Sequence, residues 1–91
     1  MNKTELIAVA AEKAEVTQKE AELVLAAITE TIAEALAQGE KVVVTGFGTF
    51  EVRQRVARKG RDPRTGKEIN IPAQKSPAFR AGKGLKDAVK G

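Results

Sequence analysis

Residues 58 to 68 read RKGRDPRTGKE, five cations around one proline with no large apolar side chain among them. Guanidinium and ammonium groups at this density suit one kind of chemistry, the donation of charge-assisted hydrogen bonds to a row of anionic oxygens. Other chemistry has little to work with. The chain has no His and no Cys, which removes imidazole and thiolate ligands and disulfides. Its one serine, Ser76, stands beside Pro77, and no Walker loop or paired-carboxylate spacing occurs. Gly46-Phe47-Gly48 is not a nucleotide fingerprint, because Glu51 occupies the place of the third glycine, and turn geometry accounts for it better. The expectation is a protein that is not an enzyme and holds no metal or cofactor.

Charge is divided along the chain. Residues 1 to 52 carry four lysines against nine glutamates, a balance of −5, whereas residues 53 to 91 carry twelve Lys and Arg against three acids, a balance of +9. One half avoids polyanions and the other seeks them. A solvated basic tail has the same composition, but the pattern inside the basic half argues for structure.

The elements that position these cations follow from periodicity and caps. Asn2 with Glu5 three residues on reads as a capping box, and Leu6, Ile7, Ala10 and Ala14 recur at helical spacing, which predicts a first helix to about residue 14. Thr17 and Glu20 form a second box, with Val16 placed to staple against Ala21. A long helix then carries Ala21, Val24, Leu25, Ile28, Ile32, Ala35 and Leu36 on one stripe and stops at Gly39. The pair should form an αα-hairpin whose apolar stripe is covered partly by a sheet and partly by a second chain. From KVVVTGFGTFEV the period becomes two, with a tight turn at Gly46-Phe47-Gly48. Strand character continues through FEVRQRVARKGR, turns at Asp62-Pro63 with Gly66 left-handed, and returns through KEINIPAQK. Each leg is long enough to reach about 30 Å, farther than a small domain requires. A short helix over Lys83 to Lys90, started near Gly82, closes the chain.

Placing the loop at Asp62 to Gly66 sets 61 opposite 67, 59 opposite 69, 57 opposite 71, 55 opposite 73 and 53 opposite 75. One face then carries Arg53, Arg55, Lys59, Arg61, Lys67 and Lys75, with Ala57, Ala73, Ile69 and Ile71 between them. The other carries Gln54, Val56, Arg58, Gly60, Glu68, Asn70, Pro72 and Gln74. Cations flanking small and aliphatic groups match a nucleic-acid groove, where charges reach phosphates and aliphatics meet sugars. A slender ribbon can follow the minor groove, whose degenerate code gives little sequence preference. Lys and Arg also protect exposed sheet edges from aggregation, although a protective edge need not leave the domain. Pro63 serves equally as a turn former or as a rigid wedge between base pairs. Asp62 and Glu68, the only acids of the hairpin, are expected to make local turn and salt-bridge contacts.

Ninety-one residues make one domain with a modest core, which contains three Phe and no Trp or Tyr, so self-association is the usual remaining source of stability. MNKTELIAVAAEKAE lacks the basic start and long apolar run of a secretory signal, and no stretch of 18 apolar residues occurs, so no membrane partner is expected.

MNKTELI, GFGTFEVR, ARKGRDPRTGKEI and PAFRAGKGLKDAV, in this order and spacing, resemble the bacterial histone-like HU proteins over essentially the whole chain. The resemblance implies an α+β intertwined homodimer: a two-helix N-terminal hairpin, a three-stranded antiparallel sheet extended into a β-ribbon arm, and a short C-terminal helix. Within a single domain over 1–91, residues 1–40 would be the helical dimerisation part, 41–81 the sheet with its arm at about 53–75, and 82–91 the last helix. It implies a cytoplasmic, nucleoid-associated architectural protein, without small-molecule substrate, that binds double-stranded DNA, including bent, nicked or gapped duplex, and bends and compacts it. Carried over by position, Pro63 is the intercalating tip. Arg55, Arg58, Arg61 and Arg64 belong to the arm, Lys3, Lys83 and Lys86 contact flanking phosphates from the body, and Arg80 joins the DNA-binding set. Phe47, Phe50 and Phe79 are dimer-core aromatics beside Leu6, Val24, Leu25, Ile28, Ile32, Leu36 and Val44. An integration-host-factor-like subunit with sequence-preferring bending is the alternative, and an RNA-binding or purely structural basic protein is the reading from another class. Two positions depart from the family pattern. Asp62 stands where Asn is usual, and Gly84 where Ala is usual, a change expected to loosen the last helix by up to about 1 kcal/mol.

Overall fold

The computed structural model describes residues 1–91, in the order α1 (Lys3–Ala14), α2 (Gln18–Ala37), β1 (Val42–Val44), β2 (Gly48–Arg55), β3 (Arg58–Arg61), β4 (Glu68–Ile71), β5 (Gln74–Ala81) and α3 (Lys83–Lys90). Two compact units divide it, Met1–Glu34 and Ala35–Gly91.

In the first unit both helix starts are fixed by side chains. Asn2 Oδ1 accepts from the Glu5 N–H at 2.9 Å. Thr17 Oγ1 accepts from the Glu20 N–H at 3.1 Å, and the Thr17 hydroxyl donates to Glu20 Oε1 at 2.9 Å. These bonds satisfy donors that a helix start leaves without partners. Helix α1 ends in a Schellman pair, Glu15 N–H to the Glu12 carbonyl at 3.3 Å and Val16 N–H to the Ala11 carbonyl at 3.0 Å, with Glu15 left-handed at φ 56°. Burial on α1 falls on Ile7 and Ala11, one turn apart, whereas Leu6, Ala10 and Ala14 of the expected stripe are exposed. Ile7 and Ala11 share one face at i and i+4, and exposure here is that of a single chain.

The second unit begins with the last turn of α2, closed by Gly39 N–H to the Leu36 carbonyl at 3.0 Å and Glu40 N–H to the Ala35 carbonyl at 2.9 Å. Strands β1, β2 and β5 form an antiparallel sheet in the order β1-β2-β5, and β3 and β4 form a separate two-stranded ladder. Phe47 N–H donates to the Val44 carbonyl at 2.9 Å across the β1–β2 turn. Phe50 faces Phe79 across β2 and β5, and Pro77 faces Val52. The Phe79 ring lies 4.9 Å from Phe50 and 5.5 Å from Phe47, centroid to centroid and tilted, a geometry favourable to aromatic quadrupoles. Gly48 is buried beneath this cluster, and a Cβ there would run into the Phe79 ring and sit 2.8 Å from the Arg80 carbonyl oxygen.

Helix α3 is seated on the β1–β2 turn. Gly82 N–H donates to the Phe47 carbonyl at 2.8 Å, and a Cβ on Gly84 would lie 2.7 Å from the Gly46 carbonyl oxygen. Gly84 therefore does more than weaken a helix: it lets α3 approach the turn. This close approach is a second role beside the propensity cost expected of a glycine there.

Candidate nucleic-acid interface

Strand β1 pairs with β2 only at residues 48 to 50, so from Glu51 outward the ladder is two strands wide, first β2 with β5 and then β3 with β4. The ladder is interrupted at Val56-Ala57 and Pro72-Ala73, where neither strand carries regular pairing. Pro72 lacks the N–H that a continuous ladder would use there. A groove of about 530 Å³ lies at this break, lined by Gln54, Arg55, Val56, Arg58, Ile71, Pro72 and Gln74.

The loop at the tip differs from the expected one. Asp62 N–H donates to the Lys67 carbonyl at 2.9 Å, which closes a four-residue loop, Pro63 to Gly66, instead of a five-residue loop from Asp62 to Gly66. Gly66 is left-handed as expected, at φ 72°, and its N–H donates to the Asp62 carbonyl at 2.8 Å. One residue fewer in the loop moves one leg by one position and turns its side chains to the other face.

The face expected from sequence is therefore taken apart. Arg58 pairs with Ile71, Lys59 with Asn70, Gly60 with Ile69 and Arg61 with Glu68. Nearer the sheet, Arg53 pairs with Ser76, Gln54 with Lys75 and Arg55 with Gln74. Directly opposed residues share a face. In the proximal ladder Arg53 and Arg55 lie with Ser76 and Gln74, while Lys75 lies on the other side with Gln54. In the distal ladder Lys59 and Arg61 lie with Asn70 and Glu68. Ile69 and Ile71 lie instead with Arg58 and Gly60, residues that the sequence had placed on the opposite face. Lys67 is the loop's closing residue, opposite Asp62, and not a member of the cationic face.

Both faces of the ribbon thus carry cations, and the aliphatic strip runs along only one. Gly60 makes that strip continuous: a Cβ there would lie 2.9 Å from Ile71 Cδ1 and 3.9 Å from Ile69 Cγ1. In the sequence Gly60 is only one member of the face opposite the expected cationic one. Its value to the surface appears only once the register is known.

At the tip Asp62 Oδ1 accepts from the Arg64 N–H at 2.8 Å. The expectation of a local turn contact holds for Asp62, whose partner is a backbone amide and not a guanidinium. It does not hold for Glu68, which faces Arg61 in the ladder without forming an ion pair. The one ion pair in the structure joins Arg80 Nε to Glu51 Oε1 at 3.6 Å, with the Arg80 side chain 59% exposed and that of Glu51 16% exposed. Arg80, a candidate contact, is thus partly neutralised by an acid on the neighbouring strand that the sequence reading did not connect with it. Lys83 opens α3 with Lys86 one turn on, and Lys3 opens α1 in the first unit; all three are exposed.

The description "Bacterial DNA-binding protein" belongs to a family model that matches residues 1–90. "DNA-binding protein HU" of Staphylococcus aureus is 63% identical over 90 residues, which cover 99% of this chain and 100% of that protein. The SPbeta prophage-derived "DNA-binding protein HU 2" of Bacillus subtilis is 62% identical over 90 residues, covering 99% of this chain and 98% of that protein. Among solved structures, Anabaena HU cocrystallised with DNA superposes with a TM-score of 0.88 at 53% identity, over 98% of this chain and 97% of that one. HU from Thermotoga maritima superposes with a TM-score of 0.69 at 40% identity, over 98% of each chain.

Proposed function

The chain belongs to the bacterial DNA-binding protein family, and from that premise we propose that it is a homodimeric architectural protein of the bacterial nucleoid. It binds double-stranded DNA with little sequence specificity, bends it and compacts it. The observation that carries this reading is the ribbon: two strands wide from Glu51, exposed, cationic on both faces and closed by a proline-led loop. Its likeness to an HU solved with DNA supports a DNA-binding role.

The residues act by simple physics. Arg53, Arg55, Lys59 and Arg61 neutralise phosphates and release condensed counterions. The strip of Gly60, Ile69 and Ile71 is flat and aliphatic enough to lie against deoxyribose, while Arg58 beside it reaches groove acceptors. Arg64 and Lys67 hold the tip to the backbone, where Pro63 inserts between base pairs. Unstacking a step costs a few kcal/mol, offset by the phosphate contacts that bent DNA offers to Lys75, Arg80, Lys83, Lys86 and Lys3. The minor groove distinguishes A·T from G·C and little more, which is why specificity is low.

Dimerisation completes the fold. Within one chain only Ile7 and Ala11 among the hydrophobic residues are buried, while Val24 is 58% exposed, Ile28 51% and Phe47 47%. Leu25, Ile32, Leu36 and Phe50 are half-buried, and Leu6, Val44 and Phe79 are exposed. These residues form the core once a second copy covers them.

Binding to random-sequence duplex tests the function. Affinity should fall about a thousandfold as salt rises from about 50 to about 200 mM, for roughly six phosphate contacts. A nicked duplex should bind more tightly than an intact one, because its bend is cheaper. Equal affinity for intact and nicked DNA, or a footprint confined to one sequence, would overturn the reading.

A further inference from the structure

The tip loop contains one residue whose three hydrogen-bonding groups are all committed to the loop itself. Asp62 donates its N–H to the Lys67 carbonyl at 2.9 Å, accepts the Gly66 N–H on its own carbonyl at 2.8 Å, and accepts the Arg64 N–H on Oδ1 at 2.8 Å. The side-chain bond spans Pro63. Asp62 is also half-buried, whereas every other residue from Arg61 to Asn70 is exposed.

We infer that Asp62 is a positioning residue for the wedge, fixing the angle of the Pro63 ring through the Arg64 amide at the cost of a negative charge beside the DNA backbone. The inference rests on the proposed reading of the arm as a DNA-bending element. Proline fixes its own φ, and the residue before it is confined to extended backbone, yet neither constraint sets the ψ of Pro63. The Oδ1-to-Arg64 bond does, because it closes an Asx turn around the proline. A ring that must enter a base step gains from being aimed beforehand, since the ordering cost is then met before binding.

The two effects separate chemically. An amide in place of the carboxylate, as in Asp62→Asn, would offer the same acceptor without the charge, and the methyl group of Asp62→Ala would offer neither. Glu68, the other acid of the hairpin, bears a charge near the tip but takes no part in the loop bonds, so it isolates the electrostatic effect.

The experiment measures bend angle at saturating protein, by end-to-end energy transfer in a random-sequence duplex, together with affinity at low and high salt. Wild-type protein is measured first, and binding without bending sinks the functional reading itself. If wild type bends DNA, Asp62→Asn should keep the bend and tighten binding about threefold at low salt, the effect of one unit charge near a phosphate in a watery environment. That gain should shrink at high salt. Glu68→Gln should likewise tighten binding and leave the bend unchanged. Asp62→Ala should lose a clear part of the bend although it removes the same charge, and Asp62→Asn supplies the rescue. A wild-type bend in Asp62→Ala, or a bend lost equally in Asp62→Asn, would overturn the inference.

Discussion

At position 84 the missing side chain is a packing requirement. A methyl group there would meet the Gly46 carbonyl oxygen at 2.7 Å, and a backbone oxygen cannot swing aside as the end of a flexible side chain can. Helix propensity alone returns about 1 kcal/mol for Gly84→Ala. We expect the measured gain in unfolding free energy to fall clearly short of that, because α3 must lift from the turn to admit the methyl. Denaturant unfolding of the variant checks this, and a full gain would show that the contact relaxes freely. Asp62 carries a related lesson. Its charge and a local turn contact were legible in the sequence, but that the acceptor takes the Arg64 amide and not a guanidinium depends on where the backbone turns.

Elements whose signals are local were readable. The capping signals work within four residues: the Thr17–Glu20 box forms in both directions, and at Asn2–Glu5 the Asn2 side chain caps the helix without the return bond from Glu5. The switch to period two at KVVVTGFGTFEV is an equally local signal and marks the first strands, whereas the three-stranded sheet is what the family resemblance implies. The register of the arm was not readable, because it depends on whether Lys67 closes the loop or begins the strand, and no composition rule separates a four-residue loop from a five-residue one. That single bond decides where Ile69 and Ile71 point. Width is the other property of the element that matters. Isolated two-stranded ladders are marginal in water, and stability within a protein varies from segment to segment. In the free protein, amide exchange at Thr49 and Phe50, flanked by β1 and β5, should be slower than at Arg58 to Arg61. Equal protection along the leg would mean that the arm is held by contacts other than its own ladder.

For the whole molecule, the exposed apolar residues of each unit tie folding to concentration. If two chains fold only together, mass action raises the thermal midpoint by about 3–6 °C for each tenfold rise in protein concentration. Ile28→Glu should remove that dependence and leave a monomer with little cooperative melting, a result that sedimentation and calorimetry read directly. A sharp, concentration-independent transition in the wild type would count against the dimer. The charge partition needed no structure to be seen, and neither did its separation of an acidic N-terminal half from a basic arm. The identity of the covering surface does not follow from charge, and it was the apolar stripe of α2 that pointed to a second copy.

The narrowness of the ribbon beyond Phe50 also bears on time. On the proposed reading of the arm, a ladder with no third strand beside it would spend part of its binding energy on DNA in becoming ordered. Its residence on the duplex should then be shorter than the same cations on a broad, rigid sheet would give. A wider arm would hold longer and yield less readily to whatever must pass along the strand.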